Sequence, residues 1–224
     1  MIRSFVSFIL FLIFVTPSGA KERLNGYENQ TGMFSLGMRN TVSTFGGGNW
    51  NYTGFGYGGQ FRIQFSKKLN TEWFADYITD DLKTKGKRGD GHVGWSVMYY
   101  LSYPPFDRFF SPYVLAGHCF DYSKVTIYNY YASPFIYIYP DDANYSIERW
   151  SSAVQMGLGT HLNAGRNYDI SVSSQYMIHL GTHIDIDDSG SSPLLSKSKG
   201  VNLEGHLLFT ISINYKLGYL WYRR

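Results

Sequence analysis

Histidines, carboxylates and serines are the residues here whose types and spacing bear on chemistry, and they fall into three sets. In the first, Arg62 and Glu72 flank the short segment 66–70, and His161 and Asp169 flank the short segment 163–167. An imidazole beside a carboxylate is the core of a general acid–base pair. No nucleophile accompanies His161 and Asp169 in the pattern, however. Opposite charges facing each other across a turn are more simply a neutralising pair, because a buried charge needs a partner. His92, His179, Glu204 and His206 form the second set, able to bind a metal or exchange protons if the fold gathers them at one end. No Gly-x-Ser-x-Gly elbow accompanies them, nor does the segment MIHLGTH carry a lipid A deacylase pattern, so polar filling is the simpler role. In the third set, Asp185, Asp187, Ser189 and Gly190 open like a calcium loop, but Ser196 stands at the twelfth position and cannot chelate through two oxygens. That segment reads as an acidic turn. These sets assign no catalytic, cofactor-binding or metal-binding residue.

The elements that must position these groups follow from the rest of the chain. Its 224 residues include 20 Tyr, 16 Phe, 5 Trp and 24 Gly, but 7 Pro and 1 Cys. Charged residues make up 17%, below the quarter usual in soluble domains, and the mean hydropathy of -0.23 is not that of a helical membrane protein. A lone Cys119 excludes an internal disulfide, and a formal charge of +3 gives no electrostatic case for nucleic acid. Arg3, an apolar run from Phe5 to Val15, and small residues at Ser18 and Ala20 compose a secretory leader. Cleavage after Ala20 would leave residues 21–224 as one domain.

Beyond the leader the apolar residues recur with period two. Val201, Leu203, Leu207, Phe209, Ile211 and Ile213 alternate with polar residues through 201–217. The same alternation marks 168–180, 55–65 and 92–103, so each is a strand with one apolar and one polar face. Segments 33–44, 71–79 and 150–162 fit less cleanly, with Trp73, Ala75 and Tyr77 read as outward and Glu72 and Asp76 as inward. In 111–122 the two faces cannot be told apart.

Eight strands result, and their connections alternate long, short, long, short, long, short, long. That rhythm belongs to an up-and-down barrel with elaborate loops at one end and tight turns at the other, where both termini lie. Two solutions hide such strands. A secreted lipocalin-like barrel turns its apolar face inward, whereas a transmembrane barrel turns it to lipid. The second is favoured because the apolar face is bulky and aromatic at the strand ends (Phe55 with Phe65, Tyr99 with Tyr103, Tyr215 with Trp221). The polar face is Gly, Ser, Gln and charge. It includes Arg39, Arg62, Glu72, Asp76, His161, Asp169, Glu204 and His206, enough to fill an eight-stranded lumen. The fold class is therefore all-β, an eight-stranded antiparallel transmembrane barrel.

The mature chain resembles the small outer-membrane β-barrel family of OmpA-like and OmpX-like proteins of Gram-negative envelopes. The leader, the eight alternating strands, PYVLAGHCF (112–120), which is similar to the family's fifth strand, and FTISINYKL (209–217) carry the resemblance. It implies residence in the cell outer membrane, insertion by the outer-membrane assembly machinery, and contact with lipid and lipopolysaccharide. The role implied is structural or surface-interacting, without catalysis or cofactor; a small passive pore or apolar-ligand conduit is the alternative, and an outer-membrane enzyme a further one. Family members end on an aromatic, whereas nine residues follow Tyr215 here. Either the last strand continues to Trp221 or Tyr222, or the tail is a periplasmic stub. The long loop 123–149 is crowded with Tyr, among them Tyr128, Tyr130, Tyr131, Tyr137 and Tyr139. It either extends the barrel as a β-ribbon or covers it, and it is the candidate surface for an extracellular partner. Lys83, Lys85, Lys87 and Arg88 in the second long loop are a solvated basic run, or a contact for anionic lipopolysaccharide.

Overall fold

The computed structural model describes residues 31–46, 52–81, 86–102, 109–128, 144–163, 167–181, 183–187, 194–198 and 205–221. The leader, Lys83, Lys85, Glu204, Ser189, Gly190 and the middle of loop 123–149 lie outside these. Among the described residues there are ten strands: β1 (Met33–Gly46), β2 (Tyr52–Gln64), β3 (Leu69–Asp81), β4 (Gly86–Tyr100), β5 (Phe110–Tyr128), β6 (Asn144–Leu162), β7 (Tyr168–Leu180), β8 (His183–Asp187), β9 (Leu194–Ser198) and β10 (Gly205–Tyr219). Eight of them close into one antiparallel barrel in the order β1-β10-β7-β6-β5-β4-β3-β2. The eight alternating segments of the sequence are these eight barrel strands.

A line followed across the ladder from Phe34 passes Ile63, Thr71, Val97, Ala116, Met156, Tyr176 and Leu207. It returns to β1 at Thr44, ten residues beyond its start. That stagger tilts the strands by roughly 40° from the barrel axis. Side chains alternate accordingly. In β3 exposed and buried positions alternate almost without a break, with Trp73 and Tyr77 outward and Glu72 and Asp76 inward, as expected. The outward face exposes large apolar side chains on every barrel strand, among them Met38, Tyr57, Val93, Phe120, Leu158 and Ile211. Water would not tolerate so continuous an apolar belt on a monomer; it is the lipid-facing surface of a transmembrane barrel.

Strand β5 has faces after all. Ser111, Tyr113, Leu115, Cys119 and Asp121 point into the lumen, while Pro112, Val114, Ala116 and Phe120 point out. The sequence hides this because the lumen at that level is itself apolar. Two further differences concern the long loops. The third long connection begins and ends as strand, so β5 and β6 run on as a two-stranded ribbon, with Lys124 opposite Glu148 and Ile127 opposite Tyr145. The ribbon form is therefore the one adopted by its described part. The acidic segment is not a turn at Asp185 and Asp187. Both lie in β8, where alternation with Ile184 and Ile186 makes a strand, and Asp185 faces Ser196 across the β8–β9 pair.

At the tight-turn end, β10 stops at Tyr219. Leu220 then donates to the Gly32 carbonyl at 2.8 Å, and the Trp221 ring packs against Phe65 with centroids 5.8 Å apart. Residues 216–221 thus finish the last strand and tie it to the start of the first.

Candidate functional site

Among the described residues the lumen concentrates the buried polar chemistry, and it is arranged in layers. Nearest the tight turns, Arg62 donates from Nε to Glu72 Oε2 at 2.7 Å and from Nη1 to Asp169 Oδ1 at 3.1 Å. Arg39 reaches the same Glu72 through Nη1 at 3.1 Å, and its Nε stands 3.0 Å from Asp76 Oδ1. Asn214 donates to Asp169 at 2.9 Å, and Gln60 ties Asn214 to Ser212. All of these side chains are buried. The sequence pairing of Arg62 with Glu72 follows directly from their register across the turn. For Asp169 the nearer cation is Arg62, while His161, the partner expected from sequence, stands further off with its Nδ1 3.9 Å away. The cause is register, since His161 faces Ser171 on β7.

Ser171 is a residue the sequence reading missed. Its hydroxyl lies 2.6 Å from His161 Nδ1 and also accepts from Arg62 Nη1 at 2.7 Å. Serine, histidine and aspartate therefore meet, but not as a catalytic triad. Asp169 is on the serine's side, 3.5 Å from Ser171 Oγ, so it does not orient the imidazole as a triad carboxylate would, and the group is buried within the lumen. The small cavity beside it, lined by Arg62, Asn70, Tyr100, His161, Asp169 and Lys216, has room for about one water (about 20 Å³). Tyr113 leans over His161 with centroids 4.6 Å apart. Gly159 makes that possible, because a Cβ there would overlap the Tyr113 ring.

Above the Arg39 level an apolar plug crosses the barrel: Phe74, Ile78, Cys119, Ala153, Met177 and Leu208. Above that lies a second polar layer, centred on Asp121. His92 Nε2 approaches its Oδ1 at 3.2 Å, His179 Nδ1 its Oδ2 at 2.8 Å, and Arg149 Nη2 the same Oδ2 at 3.0 Å. The His206 ring lies 4.4 Å from that of His179. The structure thus gathers three of the four residues of the second histidine set. The carboxylate that organises them is Asp121, from the strand whose faces the sequence leaves unresolved. Among the described residues no group of three histidines, cysteines or carboxylates is arranged to hold a metal ion. On the ribbon, outside the membrane, Lys124 and Glu148 pair at 2.8 Å while each side chain stays about half exposed. Glu148 thereby holds the Lys124 ammonium above its ordinary range. Surface pairs of this kind contribute little to stability.

The barrel with its filled interior invites comparison with solved structures. Neisserial surface protein A, in its crystal structure, superposes with a TM-score of 0.51 at 12% identity, over 82% of this chain and 97% of that one. A major outer membrane protein from Thermus thermophilus gives a TM-score of 0.53 at 11% identity, over 82% and 99%. The shared feature is the fold. No protein-family model and no curated protein matches this sequence. At such low identity the likeness is one of overall fold.

Proposed function

We propose that this chain is an integral protein of the bacterial outer membrane whose lumen is closed by its own side chains. It acts as a structural or surface-interacting component of the envelope. The observation that carries the reading is the layered plug. Arg39, Tyr100, Tyr113, Met98 and Leu208 are all buried inside a barrel too narrow for more than its own side chains. The export leader, the apolar outer belt and the barrel fold shared with outer-membrane proteins support the location. The same features imply delivery across the inner membrane, insertion by the assembly machinery, and lipid with lipopolysaccharide as immediate surroundings. With the lumen filled, contact with the outside falls to the β5–β6 ribbon and its Tyr-rich loop. No catalytic role is assigned, because the Ser171–His161 contact is buried and lacks an oriented triad.

The alternative of a passive pore is decided by current. Purified protein inserted into planar bilayers should give no stable single-channel steps. Reproducible steps that depend on Arg62 or Arg39 would make the lumen a conduit and overturn the proposed role.

A further inference from the structure

Asn40 stands out on the lipid-facing belt. It is exposed on the outer face of β1, between Met38 and Val42, with Tyr57 opposite on β2 and Ile211 opposite on β10. Six residues beyond Phe34, it lies about 15 Å above that residue along the membrane normal at this tilt, well inside an apolar band roughly 25 Å tall. Neither headgroups nor bulk water reach that depth. Lipid-facing threonines elsewhere return their hydroxyls to the backbone: Thr44 to the Leu207 carbonyl, Thr71 to Ile63 and Thr79 to Phe55. The Asn40 amide finds no hydrogen-bond partner among the described residues. A carboxamide left so in hydrocarbon is unfavourable, and in membranes such side chains bond between spanning elements.

The surroundings fit a protein neighbour. Gly59 adjoins Asn40 on the outer face of β2, and a Cβ placed on it would meet nothing nearer than the Gly37 carbonyl oxygen at 3.8 Å. It therefore leaves a notch between the prominent side chains of Met38 and Tyr57, which are 76% and 69% exposed. The barrel order puts β5 diametrically opposite β1, so the described part of the β5–β6 ribbon rises from the far wall.

We propose that the β2–β1–β10 wall is a docking surface for a second copy of this chain, with Asn40 of each protomer hydrogen-bonded to Asn40 of the other. A carboxamide is both donor and acceptor, so it is its own complement. Every copy crosses the membrane in the same orientation, and a two-fold axis along the membrane normal keeps the two side chains at one depth. The contact is isologous and closes as a dimer. This inference is independent of the role proposed for the outer surface.

The test uses the mature protein folded into phospholipid vesicles, with Cys119→Ala to remove the buried native thiol and folding checked by the mobility shift on boiling. A Met38→Cys variant should form a disulfide-linked dimer on mild oxidation. Ala116→Cys, at similar depth on the opposite wall, should stay monomeric. Adding Asn40→Leu to Met38→Cys should weaken self-association about tenfold, the scale of one interhelical-type hydrogen bond in a membrane. Absence of a dimer at position 38, equal crosslinking at position 116, or a dimer indifferent to Asn40→Leu would each overturn the proposal.

Discussion

Replacing Arg62 with methionine should lower the unfolding free energy by roughly 3–5 kcal/mol, the usual cost of removing one partner from a buried ion pair. Arg62 is the shared cation of Glu72 and Asp169 and also bonds Ser171 and Ser212. Without it Glu72 keeps Arg39, but Asp169 loses the guanidinium bonded to it and keeps Asn214, the His161 imidazole at 3.9 Å and the attraction of the Lys216 ammonium. Adding Asp169→Asn to the same variant should recover part of the loss, because the carboxylate that lost its guanidinium is then neutral while Asn214 remains beside it. Urea unfolding in lipid vesicles measures both. A single-variant loss below about 1 kcal/mol would be the behaviour of a solvated pair and would mean that water penetrates the lower lumen.

The second large effect lies on the opposite face of the same ladder. Leu158→Arg, at mid-depth on the lipid face of β6, should destabilise the folded barrel in a bilayer by roughly 2–4 kcal/mol. Leu158 is 64% exposed in the isolated barrel, so the substitution leaves no cavity inside and makes no clash; the penalty comes from placing a charge in hydrocarbon. Trp150→Arg, on the same face at the outer rim, should cost no more than about 1 kcal/mol of charge penalty, since depth sets the effect. Equal effects at the two positions, or none at Leu158, would show that this belt does not face lipid.

Much of this architecture is legible in the sequence because barrels separate their two faces residue by residue. The alternation in 55–65, 168–180 and 201–217 identifies strands and faces together, and the lengths of the connections identify which end carries the loops. Local pairing is legible too: Arg62 and Glu72 are joined by one tight turn, so register alone brings them together. Contacts made by closure are not. Asp169 on β7 meets Arg62 on β2 across the lumen, and no sequence spacing encodes a meeting that depends on the ten-residue stagger. Strand β5 is opaque for a different reason: Tyr113, Leu115 and Cys119 put apolar side chains on the lumen side, erasing the contrast that alternation needs. Asp121, the centre of the histidine layer, is hidden with it. The β8–β9 pair is masked because its Asp residues imitate the opening of a calcium loop, while the alternating Ile184 and Ile186 make it a strand.

The central claim is a closed membrane barrel, apolar outside and plugged inside, resident in the outer membrane. Electrophoretic mobility of the detergent-extracted outer-membrane fraction, with and without boiling, tests it most directly. A ladder closed without an open edge resists SDS until heated. The protein should partition with the outer membrane and migrate at two positions, the compact one vanishing on boiling. A protein found in the soluble fraction with a single mobility would contradict the account and turn the aromatic belt into the lining of a core.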